Sequence, residues 1–113
     1  FVKDTCKGFL KIAECDAAVG QEINISSNSE ISIGELFKTI TMLMNSTAVA
    51  VTDESRIRPD LSEVFRLIGD NTKLMNLTGF KPEYSFEQGL AETIKWFTDK
   101  ENLKKYKFNI YNV

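Results

Sequence analysis

Arg56, Arg58 and Glu63 are the residues of this chain whose types and spacing best suit a ligand. Two guanidinium groups and a carboxylate fall within the run Arg56-Ile57-Arg58-Pro59-Asp60-Leu61-Ser62-Glu63-Val64. A guanidinium presents a planar fork that matches phosphate oxygens. A neighbouring glutamate can accept from a ribose or sugar hydroxyl, or orient an arginine. The chemistry expected of such a run is recognition of an anion. The same residues also fit a solvated loop, with the arginines paired to Asp53, Glu54 and Asp60. Exposed pairs of that kind need no function.

Other chemistries are excluded by what the sequence lacks. It has no histidine, which removes histidine-based triads and most zinc sites. It has no Gly-x-Gly-x-x-Gly and no P-loop, so no dinucleotide or triphosphate cradle is expected. The net charge is −2 and the pI about 5.2, against the basic excess that a nucleic-acid binder needs. No apolar run approaches the roughly 20 residues that span a bilayer, and no signal-peptide pattern is seen, so neither nucleic acid nor membrane is an expected partner. If Cys6 and Cys15 both lie on the first helix, they face opposite sides roughly 13.5 Å apart along its axis. They are therefore expected as free thiols, which suits a reducing cytoplasm.

The elements that must position the arginines follow from patterning. At 113 residues the chain is one domain, residues 1–113. Asp4 is placed to cap a first helix running to about Glu14, with Cys6, Phe9, Leu10 and Ala13 as its buried stripe. Glu22–Ser26 alternates as a strand with one buried face, and Ser27-Asn28-Ser29 is turn chemistry. Ser32 and Glu35 form a capping box before a helix that ends near Asn45. Ala48–Thr52 reads as a second strand. Pro59 keeps the arginine run out of a helix. Val64–Ile68 is a short strand or one helical turn. Asp70 caps a helix ending at Gly79, and Ser85 with Gln88 opens the longest helix, to about Thr98. Two short strands make a poor sheet alone, so the expected class is α/β but mostly helical, with part of the sheet lying outside these residues. A chain that opens at Phe1 directly into an amphipathic pattern reads as a piece of something longer.

In this order and spacing the segments resemble one family. Phe1-Val2-Lys3-Asp4 resembles its aromatic-Val-x-Asp segment, and Gly20–Ser26 with Ile31-Ser32-Ile33 its Gly…Asn-Ile-Gly…Ile-Ser-Ile segment. Arg58-Pro59, Ser62-Glu63-Val64 and Asp70–Lys73 resemble an Arg-Pro…Glu-Val…Asp-x-x-Lys run. Gly79-Phe80-Lys81-Pro82 stands where Gly-Trp-x-Pro is usual, and Glu87–Phe97 resembles the closing helix. The family is the extended short-chain dehydrogenase/reductases acting on nucleotide sugars, the NAD-dependent epimerase/dehydratase family, and the run around Arg58 resembles its sugar-nucleotide 4,6-dehydratases.

That resemblance implies a C-terminal nucleotide-sugar-binding lobe of an extended Rossmann-type enzyme, without the N-terminal domain that carries the glycine-rich NAD or NADP loop and a Tyr-x-x-x-Lys pair. No tyrosine here is followed by lysine at that spacing, so no residue carries over as catalytic and none as cofactor-binding. Arg58 would contact the diphosphate and Glu63 the nucleotide or its ribose, with Arg56 a further candidate. The parent enzyme, expected as a cytoplasmic homodimer, would pass hydride from sugar C4 to NAD, eliminate water across C5–C6 and return hydride to C6. The product would be a 4-keto-6-deoxy sugar nucleotide for surface polysaccharide or deoxysugars. A nucleotide-sugar epimerase of the same family is the near alternative. A stand-alone module that binds a protein through its aromatic tail is the alternative of another class.

Overall fold

A computed structural model describes residues 1–53, 64 and 66–106. The elements are α1 (Val2–Ala13), a 3₁₀ turn (Asp16–Ala18), α2 (Ile33–Leu43), α3 (Thr72–Thr78), α4 (Phe86–Thr98) and α5 (Lys100–Leu103). Both expected capping boxes form. Ser32 Oγ accepts from the Glu35 N–H while the Glu35 carboxylate accepts from the Ser32 N–H, and Ser85 and Gln88 repeat the exchange on α4. Gly79 closes α3 with φ 65°, a left-handed conformation in which a Cβ is strained.

The first helix packs differently from expectation. Its N-cap is Phe1, and Asp4 lies inside the helix, buried. The Asp4 carboxylate accepts the Glu83 N–H at 2.9 Å, and the Lys7 ammonium one turn on pairs with the Glu83 carboxylate. One stripe of α1 therefore holds Glu83 by its backbone and its side chain. The inward face is Asp4 and Gly8, with Ile12 half-buried. The apolar stripe read from the sequence points out: Cys6 and Ala13 are exposed, and Phe9 and Leu10 are more than 60% exposed, at 64% and 63%. Close approach selects the small and polar face. A Cβ at Gly8 would lie 2.8 Å from Ile25 Cγ2, and one at Gly89 2.8 Å from Phe1 Cβ, so both glycines admit a neighbour that alanine would push away.

The described residues are mostly helical, as expected, but no strand forms among them, so the two short strands of the α/β expectation are not found there. The cause is the non-local nature of a ladder: a lone extended segment has no partner for its N–H and C=O groups. At 22–26 the alternation survives as half-buried Ile23 and Ile25 beside exposed Glu22 and Asn24, but the Ser26 carbonyl is taken by a side chain, Asn71 Nδ2, at 2.9 Å. At 48–52 Val49 and Val51 are exposed. Val64 and 66–68 form neither strand nor helix.

α1 packs on α3, and α2 on α4. The buried apolar residues among those described are Ala18, Leu74 and Phe80. Trp96, Phe97 and Tyr106 gather at the end of α4 with ring centroids 5.0–5.8 Å apart. Asp70, expected as a cap, donates nothing but accepts the Thr72 N–H at 2.8 Å, with Asn71 the residue at the helix boundary.

Candidate functional site

A groove of about 480 Å³ runs between the start of α1, the loop at 25–29, the segment 80–86 and α4. Aromatic rings of Phe1, Phe80, Tyr84 and Phe86 and hydroxyls of Thr5, Ser26, Ser27, Ser29 and Thr93 line it. Phe1 and Tyr84 meet edge to face at 4.8 Å, with the Lys3 ammonium near both rings. Across the loop, Ser27 and Ser29 share a hydroxyl hydrogen bond of 2.8 Å around Asn28, whose φ is 56°.

Arg56, Arg58 and Glu63, the residues expected to bind substrate, lie outside the described residues. The chain that follows them is held to the groove loop. Arg66 forks onto Glu30 at 2.5–3.2 Å, Ser26 Oγ donates to the Gly69 carbonyl at 2.5 Å, and buried Asn71 donates to the Ser26 carbonyl. The pairing with Glu30 raises the Arg66 guanidinium still further above its ordinary value, so it stays charged. None of Ser26, Arg66, Gly69 or Asn71 was singled out by sequence. A usable signal was present: Arg66 interrupts an apolar run, and a glycine stands directly before a cap.

Two exposed carboxylates are set below their usual range by local hydrogen bonds. Glu35 is lowered first by the Ser32 side chain and then by its backbone, and Asp70 first by the Thr72 side chain and then by its N–H. A carboxylate lowered by folding contributes stability above its unfolded value, and that contribution is lost as pH falls through the folded value. Asp70→Asn should therefore flatten the acid limb of stability below about pH 4. Urea midpoints taken at falling pH check this, and superimposable curves for the two proteins would remove the Asp70 contribution.

The N-termini of α2 and α4 are closed by their capping boxes, and Glu35 and Glu87 put negative charge in their first turns. The described residues hold no group of three His, Cys, Asp or Glu able to bind a metal, and no helix long and apolar enough to cross a membrane.

Comparison with known proteins supplies the class. The family model for GDP-mannose 4,6 dehydratase matches residues 1–93. The UDP-N-acetyl-alpha-D-glucosaminuronate decarboxylase of Bacillus cytotoxicus is 40% identical over 94 residues, 80% of this chain and 29% of the relative. The UDP-glucose 4-epimerase of Mycolicibacterium smegmatis is 31% identical over 101 residues, 88% of this chain and 30% of the relative. A dTDP-glucose 4,6-dehydratase of Xanthomonas campestris pv. campestris is 29% identical over 109 residues, 86% of this chain and 29% of the relative. No solved structure gives a significant match. The chain belongs to the NAD-dependent epimerase/dehydratase family of extended short-chain dehydrogenase/reductases. It spans 29–30% of the length of these three relatives.

Proposed function

We propose that this chain is the nucleotide-sugar-binding lobe of an NAD-dependent sugar-nucleotide 4,6-dehydratase. The observation that carries the reading is the match of residues 1–93 to the GDP-mannose 4,6 dehydratase family model. In it, Arg58 contacts the diphosphate, Arg56 adds positive charge beside it, and Glu63 accepts from the nucleotide or its ribose. The lobe binds and covers substrate. A Rossmann domain preceding residue 1 supplies the NAD or NADP site and the catalytic pair, so the isolated chain is not catalytic. The outward apolar face of α1 supports this division, because Phe9 and Leu10 have nothing on them here that would repay their exposure. The parent is a cytoplasmic homodimer.

A nucleotide-sugar 4-epimerase is the second reading, favoured by the likeness to the Mycolicibacterium smegmatis enzyme. Both readings keep the same binding role for Arg58. Arg58→Ala in the full-length enzyme should raise KM for the nucleotide sugar about tenfold or more with little change in kcat, as loss of a contact made equally in ground and transition states requires. An unchanged KM returns Arg58 to a solvated loop. Calorimetry on the isolated chain should give no heat with NAD and weak binding of nucleotide diphosphate sugars, and tight NAD binding would refute the division of labour.

A further inference from the structure

Residues 22–25 have the pattern of a strand and none of its ladder. Glu22 and Asn24 are exposed while Ile23 and Ile25 are half-buried, which is the period of a strand. Consecutive side chains take opposite sides: Ile25 lies against Gly8 of α1, and Ser26 against Gly69. Yet no N–H or C=O of residues 22–25 makes a backbone hydrogen bond among the described residues, and the Ser26 carbonyl is taken by a side chain, Asn71. Partly buried peptide groups without partners are costly. The 3₁₀ turn and Gly20, with φ 74°, lead out of α1, and Ser26, Ser27 and Ser29 line one groove with Phe1, Asp4 and Thr5. The segment therefore runs back along α1, antiparallel to it.

We propose that residues 22–26 are a strand that pairs in parallel with the stretch of the same polypeptide entering α1 at Phe1. The proposal rests on the reading of this chain as a lobe that a Rossmann domain precedes. Most of the length of each of the three relatives lies outside the matched part. The geometry selects this occupant. A helix packed antiparallel on a strand is the crossover of a βαβ unit, and the strand entering it runs parallel to the strand leaving it, with a right-handed connection in nearly all cases. Chain that arrives at Phe1 also arrives beside Ile25 and Ser26, because the three line one groove. The edge is defined too. In a strand the N–H and C=O of one residue share an edge, and successive residues alternate. The Ser26 carbonyl faces Asn71, so the groups of Ile23 and Ile25 face the opposite edge. Pairing there joins lobe and preceding domain through one sheet, with the loop at 26–29 fixed at the end of the added strand.

The test uses the full-length enzyme without ligand. Amide exchange resolved to single residues should show Ile23 and Ile25 slowed about a thousandfold or more against unstructured peptide. Asn24→Cys, on the exposed face, is then combined with a cysteine at each of the positions just before Phe1 in turn. Paired strands lie about 4.8 Å apart, within the roughly 4.4–6.8 Å that a disulfide spans between Cα atoms, so one or two positions should cross-link within a single polypeptide. Mass mapping separates such a link from one between two polypeptides. Exchange of Ile23 and Ile25 within about tenfold of peptide rates overturns the strand. Cross-links only between polypeptides overturn the occupant in favour of a second copy, and cross-links at no position overturn it outright. The two readings fail separately. A polypeptide with no glycine-rich NAD loop before Phe1 ends the lobe reading, whereas one that has the loop and gives no cross-link ends the strand alone.

Discussion

Leu74→Ala should lower the unfolding free energy of the chain by about 2–5 kcal/mol. Leu74 has no exposed surface, and it sits on α3 where that helix meets α1. Truncation loses the transfer energy of the removed methyl groups and leaves a cavity that the neighbours only partly fill. A loss of this size is a large share of the stability of an ordinary domain. It would weigh more here, because among the described residues only Ala18 and Phe80 share the buried apolar interior with it. Leu74→Met keeps the volume and should cost less than about 1.5 kcal/mol. Urea unfolding at matched slopes measures both. A loss below about 1 kcal/mol for alanine would mean that α1 and α3 are held together by something other than this side chain.

Asp4→Ala should cost about 1–3 kcal/mol, because it strands the Glu83 N–H in a partly buried place. Asp4→Asn keeps an acceptor oxygen for that donor and should recover most of the loss. Lys7→Ala removes only the exposed half of the grip on Glu83 and should have a much smaller effect. Chemical denaturation of the three variants sorts these outcomes. An asparagine as damaging as the alanine would shift the weight from the hydrogen bond to the carboxylate charge. Equal losses for Lys7→Ala and Asp4→Ala would contradict the burial argument.

The helices were readable because their signals are local. Ser32 with Glu35 and Ser85 with Gln88 each lie within one turn, and Gly79 needs only its own φ. Asp4 misled because a buried aspartate and a capping one look alike until the partner is known, and the partner is 79 residues away. The apolar stripe of α1 misled for a related reason. Periodicity identifies the greasy face of a helix, while the surface available to pack on it is set by the rest of the molecule. The strands at 22–26 and 48–52 depend on ladders that no single segment encodes. At the candidate site, guanidinium chemistry drew attention to Arg56, Arg58 and Glu63. The residues that join the groove loop to the chain at 69–71 are a serine, a glycine and an asparagine, and their hydrogen bonds link positions 43 and 45 residues apart, a separation that no local pattern reveals.

The grip of α1 on Glu83 also sets a timetable. A ribosome adds about 5–20 residues per second, so Glu83, the donor to Asp4, follows it by roughly 4–16 s. Helix α1 can coil within microseconds of leaving the exit tunnel, yet Asp4 waits for the Glu83 N–H, and Phe1 waits for Gly89 to pack against it. Synthesis therefore presents the cell with a segment whose α1 forms early and is secured only once residues 83–89 have followed it. Chaperone contact, where it occurs, belongs to that interval.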